Sequence, residues 1–229
     1  LNFNRRTPNK NQLQRNFSVI FNTLTSKEST DEVFTNEELP VVNGEKALEA
    51  VRYRSNQLAI FDDMELPYTR TREAKNYQQL LAYAKNLRFP VLVKWNDTSL
   101  QRPSLSFYSL HQLQRAILNG ILGFDSEALV IQEKIAVSKK IKIEIINGKY
   151  LYSVKIVSQE GKTTYEPYEP SRQMVQVAKD ILKRANVDVG SVTYFIDEED
   201  DLVYFHNFSI TSHYPEEIES VVGFNPYEK

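Results

Sequence analysis

No cysteine occurs in the 229 residues of this chain. That excludes disulfides, thiolate metal sites and cysteine nucleophiles together, and it fits a reducing compartment, so a cytoplasmic protein is expected. Long apolar runs are also missing. None approaches the roughly 20 residues that a membrane-spanning helix needs, so no membrane association is expected. There is no surplus of positive charge either. With 28 Lys and Arg against 30 Asp and Glu, the formal net charge is −2, whereas a phosphate backbone calls for concentrated basic residues; no nucleic-acid partner is expected. The three histidines, His111, His206 and His213, lack the spacing of a zinc site. No G-x-S-x-G elbow or Walker A loop is present. Glycine is scarce, seven in all, with none between Gly44 and Gly120. The chain begins at Leu1 without a signal-peptide pattern, and it is expected to be a fragment whose start lies upstream.

What is there is ordinary for a globular protein: 41% apolar and 25% charged residues, enough for one large domain or two small ones. "LNFNRR" reads as a short strand, and apolar residues at helical spacing predict a helix over 10–24. A polar stretch, "TSKESTDEVFTNEE", reads as a linker. Asn43 is placed to cap a helix over 44–54, and Ser55 to start another. After an extended "ELPYTRT", a helix is predicted over 76–87, a strand over 91–94, a polar loop, a strand over 105–108, and a helix capped by Ser109 and Gln112. "ALVIQEKI" reads as a buried strand. "KKIKIEIINGKYLYSVKIVS" alternates on both sides of Asn147-Gly148, the strongest hairpin signal in the chain. A helix follows Ser171 to about Ala185, and "SVTYFIDEEDDLVYFHNFSI" reads as a second hairpin around an acidic turn. Paired strands mixed with one-sided helices predict an α+β fold of two lobes with antiparallel sheets flanked by helices.

In this order the residues resemble the ATP-grasp superfamily of carboxylate–amine ligases. "PVVNGEKALEAVRYRSNQLAIFDDMELPYTRT" resembles the segment that leads into the fold, and "NLRFPVLVK" is similar to the strand that ends on a phosphate-binding lysine. "ALVIQEKI" resembles the hinge strand that holds adenine, "IKIEIINGKYLYSVKI" the hairpin after it, and "DVGSVTYFIDEEDDLVYFHNFSITS" the metal-bearing strand pair. The likeness is nearest to ligases that modify peptides, glutathione or ribosomal tails. It implies an ATP-grasp-like division in which 1–40 end a preceding domain and supply a linker, 41–127 form the small lobe, and 128–229 the large lobe. It implies ATP or ADP, weakly held, as ligand, with Lys94 at the phosphates and Gln132, Glu133 and Ile135 at the adenine edge. Lys142 and Lys155 are implied to face phosphate or substrate. Read as residues alone, Lys94 equally marks a strand end, and the two lysines equally fit a half-exposed hairpin.

Two departures follow. The superfamily's glycine-rich phosphate loop corresponds to "NDTSLQRPS", which has no glycine; the loop is expected to be solvated, with Thr98, Ser99 and Arg102 as the side chains that could reach a phosphate. The superfamily's magnesium ligands, two carboxylates and an asparagine, correspond to Thr193, Asn207 and Ser209, all neutral. Magnesium is therefore not expected, because a hard dication wants charged oxygen ligands. The implied function is a degenerate, non-catalytic ligase relative that acts through a protein or peptide partner. The alternatives are an active ATP-dependent carboxylate–amine ligase with metal ligands drawn from Glu133, Glu144 or Asp197, and an interaction module without a nucleotide site.

Overall fold

Two hydrophobic cores, each formed by helices on one face of an antiparallel sheet, organise the chain. The computed structural model describes residues 20–21, 41–100, 102–124, 128–159, 162–197, 201–210 and 216–226. Strands β1 (Ile20–Phe21) and β2 (Val41–Val42) pair in parallel. Helices α1 (Glu45–Arg52) and α2 (Arg54–Asp63) follow, broken apart by the extended Tyr53. The smaller sheet has the order β3-β6-β4-β5, from strands Thr71–Ala74, Leu129–Glu133, Val91–Trp95 and Leu105–Phe107 respectively. Helices α3 (Tyr77–Ala84) and α4 (Leu110–Leu118) cover one face of it. Leu80, Leu113, Val91, Val93, Leu129 and Ile131 form that core.

The larger sheet has the order β11-β10-β7-β8-β9. Its central strands are β7 (Val137–Ile146), β8 (Lys149–Gln159) and β10 (Val189–Asp197). The turn between β7 and β8 puts Asn147 at φ 47° and Gly148 at φ 68°, the left-handed pair that an Asn-Gly hairpin demands. Helix α5 (Arg172–Arg184), capped by the Ser171 hydroxyl accepting from Met174 N, packs Ala178, Ile181 and Leu182 onto Ile141, Ile143 and Ile145. Strand β11 (Val203–Ser209) closes one edge, and Phe61 of α2 meets Phe205 and Phe208 there at centroid distances of 6.0 and 5.9 Å. The expected α+β architecture of two antiparallel sheets with flanking helices is the one observed.

Several local expectations are corrected. Ile20–Phe21 is a strand, not part of a helix over 10–24; the rest of that predicted helix, and "LNFNRR", lie outside the described residues. Strand β9 (Lys162–Pro167) went unread because it is an edge strand, exposed on most of both faces, so no alternation marks it. Helix α6 (Glu216–Val222) also went unread; its Ile218 packs against Tyr152 and Val154. Leu129–Glu133 pairs with β3 and β4, so the smaller sheet extends past residue 127, while α1 and α2 pack in the core of the larger one.

Asn43 does not cap α1. Its backbone is left-handed, φ 57°, and Gly44 holds the cap position without a side-chain bond. Its side chain is 1% exposed and reaches β10 instead: Oδ1 accepts from Asp188 N at 2.9 Å and Val189 N at 3.0 Å, and Nδ2 donates to Val189 O at 2.8 Å. One amide thus staples the start of α1 to the larger sheet. Replacing Asn43 by Ala orphans buried backbone groups and leaves a residue with no amide to form local bonds on a left-handed backbone; a loss of roughly 2–4 kcal/mol is expected in urea unfolding. A loss below about 0.5 kcal/mol, the level of an ordinary surface substitution, would show that the staple carries nothing.

Candidate functional site

Because alternate residues of a strand face opposite ways, the face of each sheet that is not covered by its core helices can be read from register. On the smaller sheet, Thr71, Glu73, Leu92, Lys94, Val130 and Gln132 share that face. On the larger sheet, Lys140, Lys142 and Glu144 share it with their cross-strand partners Phe195, Thr193 and Ser191. The two polar faces meet, and Lys94 sits where they do.

Lys94 is 6% exposed, and its ammonium donates to Gln132 Oε1 at 2.6 Å. Gln132 Nε2 in turn donates to Thr69 Oγ1. Burial pulls the Lys94 pKa down to about 7, helped by the positive charges of Arg54 and Lys140. Lys140 is itself lowered by burial and by Lys142, and Arg54 by burial. His206 arrives through a β-bulge: Thr193 pairs with Asn207 and Tyr194 with Phe205, so His206 is the extra residue and turns into the cleft. It stacks on Phe195 at 4.3 Å between centroids, and burial with the charges of Lys94, Lys140 and Arg54 keeps its imidazole neutral, well below its ordinary pKa. A cavity of about 20 Å³ lies among Arg54, Gln57, Thr71, Lys94, Gln132 and His206. The arrangement concentrates positive charge with no carboxylate among the groups acting on Lys94 or His206.

The hinge opens beside it. A cleft of about 330 Å³ is lined by Thr69, Thr71, Arg72, Glu133, Ile135 and Tyr204 among others, a size suited to a small molecule. Glu133 N donates to Arg70 O and Lys134 N to Pro90 O. Ile135 N–H has no backbone partner among the described residues. The Glu133 carboxylate points to the other side, where it accepts from Arg88 N at 2.8 Å. Of the hinge residues, Gln132 is thus turned toward Lys94 and Ile135 toward the open cleft.

Lys142 and Lys155 are not brought together. Lys142 is on the cleft side and pairs with Glu144 at 2.5 Å. Lys155 stands opposite Ile141, a residue of the helix-side core, and pairs with Glu166 at 3.0 Å. It faces away from the cleft.

The loop after β4 is buried at its start and exposed beyond Ser99, at Leu100 and over 102–104. Asn96 and Asp97 are 6% and 3% exposed. Asp97 accepts from Arg52 Nε and Nη2 at 3.0 and 2.8 Å, and from Ser99 N at 2.8 Å. Burial alone would raise its carboxyl pKa, but the bonds from Ser99 and Arg52 and the guanidinium charge outweigh this and lower it. Asn96 Oδ1 accepts from Ser55 N, its Nδ2 donates to Glu73 Oε1, and Thr98 Oγ1 donates to Arg52 O at 2.9 Å. Thr98 and Ser99 are therefore spent on the α1–α2 junction rather than offered to a phosphate, and Arg102 lies over the Trp95 ring at 5.2 Å.

At the positions corresponding to the metal ligands, Thr193 lies between Asn207 and Lys142, and Ser209 faces Ser191. Glu144 is fully buried and engaged by Lys142, while Glu133 is on the opposite face of its sheet. Among the described residues no three His, Asp or Glu side chains lie close enough to hold a metal ion. Thr193, Asn207 and Ser209 themselves offer a hard dication no charged oxygen.

Two antiparallel sheets with flanking helices and a cleft beside β6 define a class, and the chain has the ATP-grasp fold. It superposes with a TM-score of 0.68 and 13% identity on the ATP-grasp ligase PsnB complexed with minimal precursor, covering 82% of this chain and 60% of that one. N5-carboxyaminoimidazole synthetase from Staphylococcus aureus complexed with ADP matches at 0.69 and 12% identity, covering 94% of this chain and 63% of that one. The ADP complex of purK, N5-carboxyaminoimidazole ribonucleotide synthetase, matches at 0.64 and 12% identity, over 82% of this chain and 56% of that one. The chain thus spans less than two thirds of the length of these structures. No protein-family model and no curated protein sequence matches it. Among the described residues no helix is long and apolar enough to cross a membrane.

Arg54, Lys140 and His206 were not read as site residues from sequence. Lys140 alone carried a signal, since it shares a strand face with Lys142 two residues on. The Lys94 environment has a consequence for stability. With the folded pKa near 7 and an ordinary lysine value in the unfolded chain, the unfolded state binds more protons between these values, so stability rises with pH across that window. Between pH of about 7 and about 9, Lys94 contributes a slope of up to about 1.4 kcal/mol per pH unit, and Lys140 adds to it with the same sign. Urea unfolding across this range is expected to be steeper for wild type than for Lys94→Met; parallel profiles would contradict a depressed lysine.

Proposed function

We propose that this chain is an ATP-grasp-fold domain that holds ADP or ATP weakly, without magnesium and without ligase chemistry, and that it acts by binding a protein or peptide. The observation that carries the reading is the mismatch between the two halves of the cleft. The nucleotide half keeps a hinge with the Ile135 N–H open to a purine edge, next to buried cations at Lys94, Lys140 and Arg54. The half where charge would be neutralised during phosphoryl transfer offers Thr193, Asn207 and Ser209. A ligase needs metal ions there to offset the charge that develops on the transferring phosphoryl group. The loop that would cover a triphosphate is instead tied to α1 and α2 through Asp97 and Thr98.

In this reading the adenine lies against Glu133 and Ile135, and the α- and β-phosphates draw Lys94 away from Gln132. An anion beside Lys94 favours its charged form, so binding takes up a proton and weakens as pH rises above about 7. The supporting likeness to PsnB complexed with a precursor and to synthetases complexed with ADP concerns those proteins; for this chain it motivates nucleotide and peptide as the classes of ligand to test.

Calorimetric titration distinguishes the readings. ADP and ATP are expected to bind with affinities within a few-fold of each other, unchanged by magnesium or a chelator. Lys94→Met, which keeps the stem and removes the charge, is expected to weaken either nucleotide by roughly 1.5–3 kcal/mol. A strong preference for ATP that appears only with magnesium would favour the ligase with rearranged metal ligands. The absence of binding by either nucleotide would leave the interaction module without a nucleotide site.

A further inference from the structure

The inner cavity between the sheets is chemically one-sided. Of the groups around it, Gln57 is used up, its Nε2 donating to Val51 O at 2.8 Å and its Oε1 accepting from Phe208 N at 3.3 Å. Gln132 is used up between Lys94 and Thr69, and Thr71 Oγ1 donates to Thr69 O at 2.5 Å. Leu58 and Val130 are apolar. What remains is nitrogen. The Lys94 ammonium has one bond, to Gln132, and two N–H groups left over. Arg54 Nε donates to Trp95 O at 3.0 Å, which leaves its terminal nitrogens. His206 Nδ1 is buried without a partner. The carboxylates that share the cleft faces are engaged elsewhere, Glu73 by Asn96 Nδ2 at 3.0 Å and Glu144 by Lys142 at 2.5 Å.

A buried charge without a counter-charge is costly, and here two cations line one small space with a third, Lys140, near enough for its field to act on both Lys94 and His206. A water molecule could fill the space, but it would leave the charge uncompensated. The space open to water-sized particles is about 20 Å³, enough for about one of them. A small spherical monovalent anion answers the charge: it accepts from every donor on the wall and demands no donor of its own to be placed.

We propose that the cavity bounded by Arg54, Lys94 and His206 is a halide site, occupied by chloride in the nucleotide-free protein. The ion receives N–H donors from Lys94, Arg54 and the Nδ1–H tautomer of His206, and it binds the smaller sheet (Lys94) to α2 (Arg54) and to β11 (His206). Chloride is thus a structural ligand of the closed cleft. The site stands whether or not a nucleotide binds; where one does, its phosphate competes for Lys94 and expels the ion.

Thermal unfolding of the full chain in sodium chloride against sodium gluconate, at equal ionic strength of about 0.15 M to hold screening constant, tests this without any nucleotide. Wild type is expected to melt several degrees higher in chloride, because a ligand of the folded state alone raises Tm. Lys94→Met and, as an independent variant, Arg54→Gln are each expected to abolish most of that difference, with a loss of roughly tenfold or more in chloride affinity. Crystals in sodium bromide are expected to show an anomalous peak between Lys94, Arg54 and His206. Equal melting of wild type in the two salts, a chloride effect that survives both variants, or a bromide-soaked crystal with no peak in this cavity would each overturn the proposal.

Discussion

A sheet with helices on one face must set its other face against something, and in this chain the two sheets turn theirs toward each other, except where Tyr152 and Val154 of β8, beside Glu144 and Lys142 in register, pack under α6. The smaller sheet buries Val91, Val93, Leu129 and Ile131 against α3 and α4, and the larger buries Ile141, Ile143 and Ile145 against α5. Period-two alternation then commits Lys94, Gln132, Lys140, Lys142 and Glu144 to the space between them. The polarity of the cleft is therefore a by-product of how the two cores are filled. Nothing in the apolar pattern could change without turning these charges outward, and nothing in the charges could change without altering what the sheets enclose.

Within that space, charge is handled in two different ways. Lys142 and Glu144 neutralise each other on a single strand. Among the described residues Lys94, Arg54 and Lys140 do not, and burial lowers the pKa of both amines. The contrast between a paired and an unpaired set of charges runs along the same cleft within a few residues.

Much of the architecture was legible because it follows from local rules. The Asn147-Gly148 turn, the Ser109 cap, the helix start after Ser171 and the strand ending near Lys94 are each set by residues in sequence contact. What was illegible depends on single-residue irregularities and distant partners. A two-residue hairpin turn counted strictly would place Lys155 opposite Lys140, in the cleft. The bulge between Glu144 and Ile145 shifts the register by one, and Lys155 meets Ile141 on the other side. A second bulge delivers His206 to the cleft by the same mechanism. Asn43 looked like a cap because Asn is a good one, but its partners lie 145 residues away in sequence. The loop "NDTSLQRPS" looked solvated because it is polar; the polar atoms of Asn96 and Asp97 at its start are matched by Arg52, Ser55 and Glu73, which no count along the chain reveals.

The knot that Asn96 and Asp97 tie to α1, α2 and β3 also changes how this protein can move. A glycine-rich lid opens and shuts at little cost because few contacts hold it, so it samples its states independently of the rest of the fold. Here the corresponding segment shares buried hydrogen bonds with the helices that complete the larger core and with a strand of the smaller one. It belongs to the same cooperative unit as they do, and lifting it means disturbing both lobes at once. The open side of the cleft lies instead at the hinge, beside Arg72 and Tyr204.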